Sequence, residues 1–377
     1  MKDYITNIDD LLEQLDSKTP DPDYLVSKNA DTNTKRLFEY LKSIYGKNIL
    51  SGQQYLQPAE LEDAVYYRIT GRLPAIRGYD LMDMDKKMSS SQTDRAIYWA
   101  KNSGCIITMC WHWYAPDDIK DTANSVWSFY YKTTDNSRKT SFDILKAVQE
   151  GTPEYRFAVQ KIDRAAEELK KFEAQGIPVL WRPLHEAAGS WFWWGNRGND
   201  GGESAKAYKK LWYMIFDRLE NYHKLGNLIW VWNGQSEEMA VNPNTYDLCG
   251  EDIYSEVPQD HSSQKGKFLE VTSYTYGKMA ALSECGYIPD PEELKRDGVK
   301  WLWWLPWWGS FVYKMDEKWH PVFGEKGLVL HNNEKFSPEQ LKSYFDNSYC
   351  LTLDKLPWYN KENSGFVERI MKERFGL

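Results

Sequence analysis

Eight short apolar runs punctuate the chain, at residues 48–52, 73–78, 105–113, 177–184, 227–233, 246–254, 278–285 and 299–306. Most are continuous rather than alternating, the pattern of strands buried on both faces of a parallel sheet. Between them the apolar spacing changes to a helical period. Thr152-Pro153 supplies a cap and a proline at the first helical position. Ala158, Ile162, Ala165, Leu169 and Phe172 then mark one face, and Gly176 ends the helix. Asp290-Pro291-Glu292-Glu293 opens another helix, closed by Gly298, and Tyr208, Leu211, Trp212, Ile215 and Leu219 mark a third, ended by Gly226. The segments after the fifth and sixth runs are irregular, and no helix can be placed in them.

Eight strands in this alternation predict an α/β fold, a (β/α)8 TIM barrel forming a single catalytic domain. An open doubly wound sheet would show a Gly-rich phosphate turn after an early strand, and none follows the first run. Residues 1–34 are polar, with Pro20 and Pro22, and are expected to form an N-terminal arm packed on the barrel. The barrel is assigned to 35–358, and 359–377 to a C-terminal tail or helix.

Composition narrows the function. A net charge of −8 without a basic stripe argues against nucleic acid or an anionic membrane as partner. Five scattered cysteines with no CxxC pair make a disulfide framework or zinc knuckle improbable. The opening MKDYITNIDDLLEQ lacks the apolar core of a signal peptide, and no stretch approaches the roughly 18 apolar residues of a membrane span. The excess is aromatic, with 18 Trp and 25 Tyr gathered where the apolar runs end. Core packing alone does not require that placement; a cleft does.

At the end of the fourth run, Arg182, His185 and Glu186 precede Trp191, Phe192, Trp193 and Trp194. A carboxyl beside aromatic surface has a raised pKa, as a general acid working near neutrality needs. Indole faces also suit the C–H surface of a sugar ring. The alternative for Glu186 is a satisfied polar network beneath a loop. Glu284, at the end of the seventh run, is a second carboxylate at a strand end, and the fourth and seventh strands face each other across a barrel. Two carboxyls flanking a substrate are the machinery of glycoside hydrolysis, and a separation of about 5–5.5 Å implies retention. His112, closing the third run, either donates to a sugar hydroxyl or is a core histidine. Tyr254 either hydrogen-bonds a nucleophilic carboxylate or is an ordinary tyrosine of the barrel mouth. Of Trp303, Trp304, Trp307 and Trp308, one or two are expected to floor the subsite of the reacting sugar. The six histidines are dispersed without an HxH pair, so neither a metal nor a cofactor is expected.

RPLHE (182–186) with GSWFWWG (189–195), LSECG (282–286), GEDIY (250–254) and CWHWYAP (110–116) resemble glycoside hydrolase family 26. LTLDKLP (351–357) is similar to that family's closing strand segment. The resemblance implies a retaining barrel glycosidase, most often an endo-β-1,4-mannanase, with Glu186 as acid/base and Glu284 as nucleophile. It further implies that His185 binds the region of the reacting sugar and that Tyr254 contacts the nucleophile. His112, Asp252 and Trp191 would be substrate contacts, and Trp304 belongs to the same sugar-binding wall. Many members carry an Arg-Asn pair after the last tryptophan of strand eight, where this chain has Leu305-Pro306. The preferred sugar is therefore left open.

The function expected is hydrolysis of internal β-1,4 links of mannan, glucomannan or galactomannan by a monomer, with β-mannan polysaccharide or oligosaccharide as its only partner. The resemblance favours secretion. The alternatives are the same chemistry on β-1,3-xylan or mixed-linkage β-glucan, exo-action on mannan, a binding protein that has lost catalysis, and a metal-dependent hydrolase.

Overall fold

The eight runs become eight parallel strands: β1 (Ile49–Gln54), β2 (Ile76–Asp80), β3 (Ile106–Cys110), β4 (Val179–Arg182), β5 (Leu228–Trp232), β6 (Leu248–Ile253), β7 (Met279–Cys285) and β8 (Trp303–Pro306). Each pairs with its chain neighbour, and β8 returns to β1, so the sheet closes as a (β/α)8 barrel. The structure is a computed structural model that describes residues 7–84, 91–324, 327–329 and 334–377. Every residue of β1 to β5 is buried, which is why the runs read as continuous rather than alternating.

The longer helices are α1 (Ile8–Asp16), α2 (Thr32–Ile44), α3 (Leu61–Thr70), α4 (Gln92–Ser103), α5 (Pro153–Glu173), α6 (Glu203–Asp217), α7 (Lys265–Ser273), α8 (Pro291–Asp297), α9 (Pro338–Asp346) and α10 (Lys361–Phe375). The Thr152 hydroxyl caps α5 by accepting from the Tyr155 amide at 3.0 Å, and the face from Ala158 to Phe172 is buried. From the outer layer, Trp212 and Phe216 of α6 pack on Trp230 of β5. The connection from β5 to β6 holds only two 3-10 turns, Glu237–Met239 and Pro243–Thr245, which explains its missing helical period.

Segments before β1 and after β8 are hydrogen-bonded to the barrel. The Val26 amide donates to Asp247 at 2.7 Å and the Asn29 side chain to the Glu220 carbonyl at 2.6 Å. At the other end, Trp358 donates to the Gly104 carbonyl at 2.7 Å and Arg374 of α10 to buried Glu60 at 3.1 Å. Within the segment resembling the family's closing strand, Leu351 pairs with Leu50 on the outside of the ring, which β8 and β1 close by themselves. No helix is long and apolar enough to cross a membrane among the described residues.

Candidate active site

Two strands end irregularly, and both irregularities aim a glutamate at the mouth of the barrel. After β4 the chain passes through left-handed conformations at Leu184 (φ 52°) and Glu186 (φ 55°). Each costs a non-glycine residue on the order of 1–2 kcal/mol, so surrounding bonds must hold them. Asn233, just past β5, accepts from the Glu186 amide at 3.1 Å, and the Gly234 carbonyl accepts from the Ala188 amide at 2.9 Å. Trp194 donates to the His185 carbonyl at 2.9 Å. The loop then folds on itself so tightly that a Cβ at Gly195 would lie 2.3 Å from the Gly189 carbonyl oxygen.

On the opposite side, β7 carries one residue more than its neighbours. Relative to β6 the register jumps from Glu251↔Leu282 to Asp252↔Glu284. Relative to β8 it passes from Trp304↔Leu282 to Pro306↔Cys285. A bulge of this kind re-aims a side chain, and here it sets Glu284 beside Asp252. Arg182 forks between the two, with Nη1 donating to Asp252 at 2.7 Å and Nη2 donating to Glu284 Oε1. The Tyr254 hydroxyl donates to Glu284 Oε2 at 2.6 Å. The other Asp252 oxygen accepts from Asn233 at 2.9 Å and from the Ser283 hydroxyl at 2.7 Å. An oxygen from each of Glu186, Asp252 and Glu284 lies within 4.8 Å of the other two.

Three carboxyls at that distance cannot all be charged at little cost. Burial, and then the charges of Asp252 and Glu284, push Glu186 well above the usual carboxylate range. An opposing hydrogen bond comes from Trp191, whose Nε1 donates to Glu186 Oε2 at 2.8 Å. Burial and the Asp252 charge push Glu284 up to about 7, against Arg182 and Tyr254, which favour its charged form. Glu284 bonds a guanidinium directly and Glu186 pairs with no cation among the described residues, so the surroundings favour the proton on Glu186 over Glu284.

The other wall descends from β2 and β3. Asp80, at the end of β2, accepts the His112 amide at 3.0 Å and meets His112 Nδ1 at 2.5 Å. Burial raises the Asp80 carboxyl, but His112 and neighbouring amides outweigh that and hold it below its ordinary value. The His185 ring sits 4.6 Å from that of His112. Burial, then Arg182 and His112, keep His185 far below the usual imidazole range, hence neutral. A cleft of about 550 Å³ continues from His112 along Tyr114, Phe129, Trp307 and Trp308.

The structure thus gathers Glu186, Glu284, Asp252, Tyr254, His112, His185 and Trp191 at one barrel end. Trp191 is 42% exposed, whereas Trp193 and Trp194 are fully buried. Trp304 is the correction. It is completely buried, its ring 6.0 Å from Phe345 of α9, so it faces the helical layer rather than the cleft. Trp307 and Trp308, beyond the strand, line the cleft instead. Sequence reading passed over Asp80 and Asn233, although both stand at strand ends, where polar residues of a barrel gather. Asp80, Cys110 and His112 form a cluster of metal-ligand spacing, as do the three carboxylates. In the first Asp80 is already bound to His112, and in the second Arg182 holds the place of a cation.

A sequence profile described as glycosyl hydrolase family 26 matches residues 26–328. A mannan endo-1,4-beta-mannosidase of Thermothelomyces thermophilus is 33% identical over 355 residues, 91% of this chain and 66% of that protein. Mannan endo-1,4-beta-mannosidase A of Piromyces sp is 34% identical over 90% of this chain and 51% of its own length. The chain therefore spans between half and two-thirds of these curated relatives. Among solved structures, a GH26-CBM35 β-(1,4)-mannanase of Podospora anserina superposes with a TM-score of 0.72 at 33% identity, covering 90% of this chain and 70% of that one. A β-mannanase from a symbiotic protist of the termite Reticulitermes speratus, complexed with gluco-manno-oligosaccharide, gives 0.72 at 29% identity, covering 89% and 98%. With its fold and site described, the chain belongs to glycosyl hydrolase family 26.

Proposed function

We propose that the protein is a retaining endo-β-1,4-mannanase acting on mannan, glucomannan or galactomannan. The observation that carries the chemistry is the closeness of Glu186 and Glu284, with oxygens inside 4.8 Å. Oxygens that close fit the roughly 5–5.5 Å carboxyl separation of double displacement better than the about 6.5–9.5 Å across which inverting enzymes hold a water. The names of the relatives supply the sugar, the linkage and the endo action.

In the first step Glu186 gives its proton to the glycosidic oxygen as Glu284 attacks the anomeric carbon. The carbon–oxygen bond to the leaving chain breaks and an ester to Glu284 forms. Glu186, now a carboxylate, takes a proton from water. That water attacks the same carbon, breaks the ester and releases the product with its original anomeric configuration. Arg182 and Tyr254 favour the ionised form of Glu284 before attack. Asp252 has partners on both oxygens, so it serves chiefly to fix Arg182 and Asn233. His112 and His185 face the reacting sugar from the β3 and β4 ends, and the exposed indole of Trp191 stacks beside the cleaved bond. All these groups come from one chain, which makes the monomer the working unit; light scattering would test that.

The reading is tested by incubating the protein with mannan, glucomannan, galactomannan, β-1,3-xylan and mixed-linkage β-glucan and measuring reducing ends. Fastest cleavage is expected on the mannans. The Leu305-Pro306 sequence after Trp304 keeps the other β-glycans as the second reading, and faster cleavage of either replaces the first. Product analysis on defined manno-oligosaccharides separates endo from exo attack.

A pH effect follows from Trp191. Its N–H stabilises the Glu186 carboxylate, so removing it raises the Glu186 pKa further. A general acid must be protonated, hence Trp191→Phe should move the basic limb of kcat/KM to higher pH. The ring is kept, so the maximum should fall no more than about tenfold, the worth of one hydrogen bond. A limb that stays in place or moves to lower pH would contradict the assignment.

A further inference from the structure

Past His112 and Trp307 the cleft ends on an aromatic surface that the chemistry above does not use. The Trp307 ring lies 5.8 Å from His112. Trp308 follows it, and its ring is 6.5 Å from that of Trp319, with 34° between the planes. Trp319 lies further along the same connection after β8 and is 64% exposed. Its backbone is left-handed, with φ at 63°, a conformation unfavourable for a bulky residue. Asp316 maintains it: one carboxylate oxygen accepts from the amides of Lys318 and His320, both at 2.8 Å, and its carbonyl accepts from the Trp319 amide at 3.0 Å. The other half of the strip is fixed from beneath. Buried Gln53 donates to the Trp307 carbonyl at 3.2 Å, and buried Glu62 accepts from the Gly309 amide at 2.9 Å.

A strained turn that presents an indole to solvent gains nothing from burial. An indole held open at the end of a sugar-binding cleft offers a face for the C–H side of a hexose. The geometry points to Trp308 and Trp319 as a stacking platform for further units of the same β-linked chain, two or more sugars from the cleaved bond. The occupant follows from continuity, since the recess of about 550 Å³ that reaches this pair also contains His112 and Trp307. The inference rests on the proposed hydrolysis of a β-linked polysaccharide, and it assigns this chain a preference for long substrates over short ones.

The test compares Trp319→Ala with the unmutated enzyme on the shortest oligosaccharide it cleaves and on one three units longer. The variant should lose about five- to tenfold in kcat/KM on the longer substrate, mainly through KM, and stay within about twofold on the shorter. Trp319→Tyr, which keeps a ring, should recover most of the loss. Trp319→Leu, which keeps apolar bulk, should not, and it serves if the alanine variant folds poorly. Equal losses on both lengths, or none on either, would overturn the platform while leaving the hydrolase reading intact. Failure of the unmutated protein to cleave any β-glycan would overturn that reading and the platform with it.

Discussion

Glu284→Ala should lower turnover on mannan by about five orders of magnitude or more, the scale on which an enzyme depends on its nucleophile. The loss should fall on kcat, because in the proposed double displacement this carboxylate forms the bond that defines the first transition state. Azide, small enough for the vacated space, should restore part of the rate and give a glycosyl azide of inverted configuration. Mannan cleavage within about tenfold of the unmutated rate would remove Glu284 from the mechanism. The fold should survive, since Arg182 keeps Asp252 as its partner.

The same variant has a signature in stability. Glu284 is pushed up to about 7 in the fold and has an ordinary value, about 4.3, when unfolded. Between those values the folded state binds more protons than the unfolded one, so this group makes stability fall as pH rises through the window. The Glu284→Ala protein should therefore lose less melting temperature between pH 5 and 7 than the unmutated one, as scanning calorimetry would record. An active site built from crowded buried acids costs stability, and its removal returns some of it.

Much of this site is legible before any coordinates. The strands could be located because a strand covered on both faces has no reason to alternate, and β5 (Leu228–Trp232) is apolar throughout. Glu284 stood out as a charge at the end of a small apolar strand. What stayed hidden depends on backbone detail that hydrophobic pattern does not encode. Nothing in RPLHE signals that Leu184 and Glu186 are left-handed. The bulge in β7 is equally silent, and without it Glu284 would not stand beside Asp252. Trp304 was misplaced because a row of tryptophans does not reveal which alternate residues face the helices. The second run was read as stopping at 78, two residues before Asp80, and so missed the partner of His112. Asn233 merely ends the fifth run in the sequence, but its side chain meets Glu186, Asp252 and Ser283 and thereby joins β4, β5, β6 and β7.

Replacing Glu186 with alanine should slow cleavage of mannan by about 10²–10⁴-fold, the range of general acid–base catalysis. The size should depend on the leaving group, which distinguishes this loss from that of a structural residue. A polysaccharide alkoxide is a poor leaving group and needs the proton, whereas a dinitrophenolate does not. On an activated aryl mannoside the first step should run near its normal rate, and the enzyme should then stall as the Glu284 ester. Burst kinetics would show this, and added azide should release the ester as a glycosyl azide of retained configuration. The basic limb of the pH profile should also vanish, because in the unmutated enzyme activity should fall as pH rises and the proton leaves Glu186, whose carboxyl is raised well above the ordinary range. Equal losses on activated and natural substrates, with the basic limb unchanged, would assign the proton to another group. Tyr254, which bonds Glu284, is then an alternative, but burial and the surrounding carboxylates push its hydroxyl well above the usual tyrosine range. A donor that weak cannot match the pH at which the leaving oxygen needs its proton, whereas a buried carboxylic acid held neutral by two neighbouring carboxylates can.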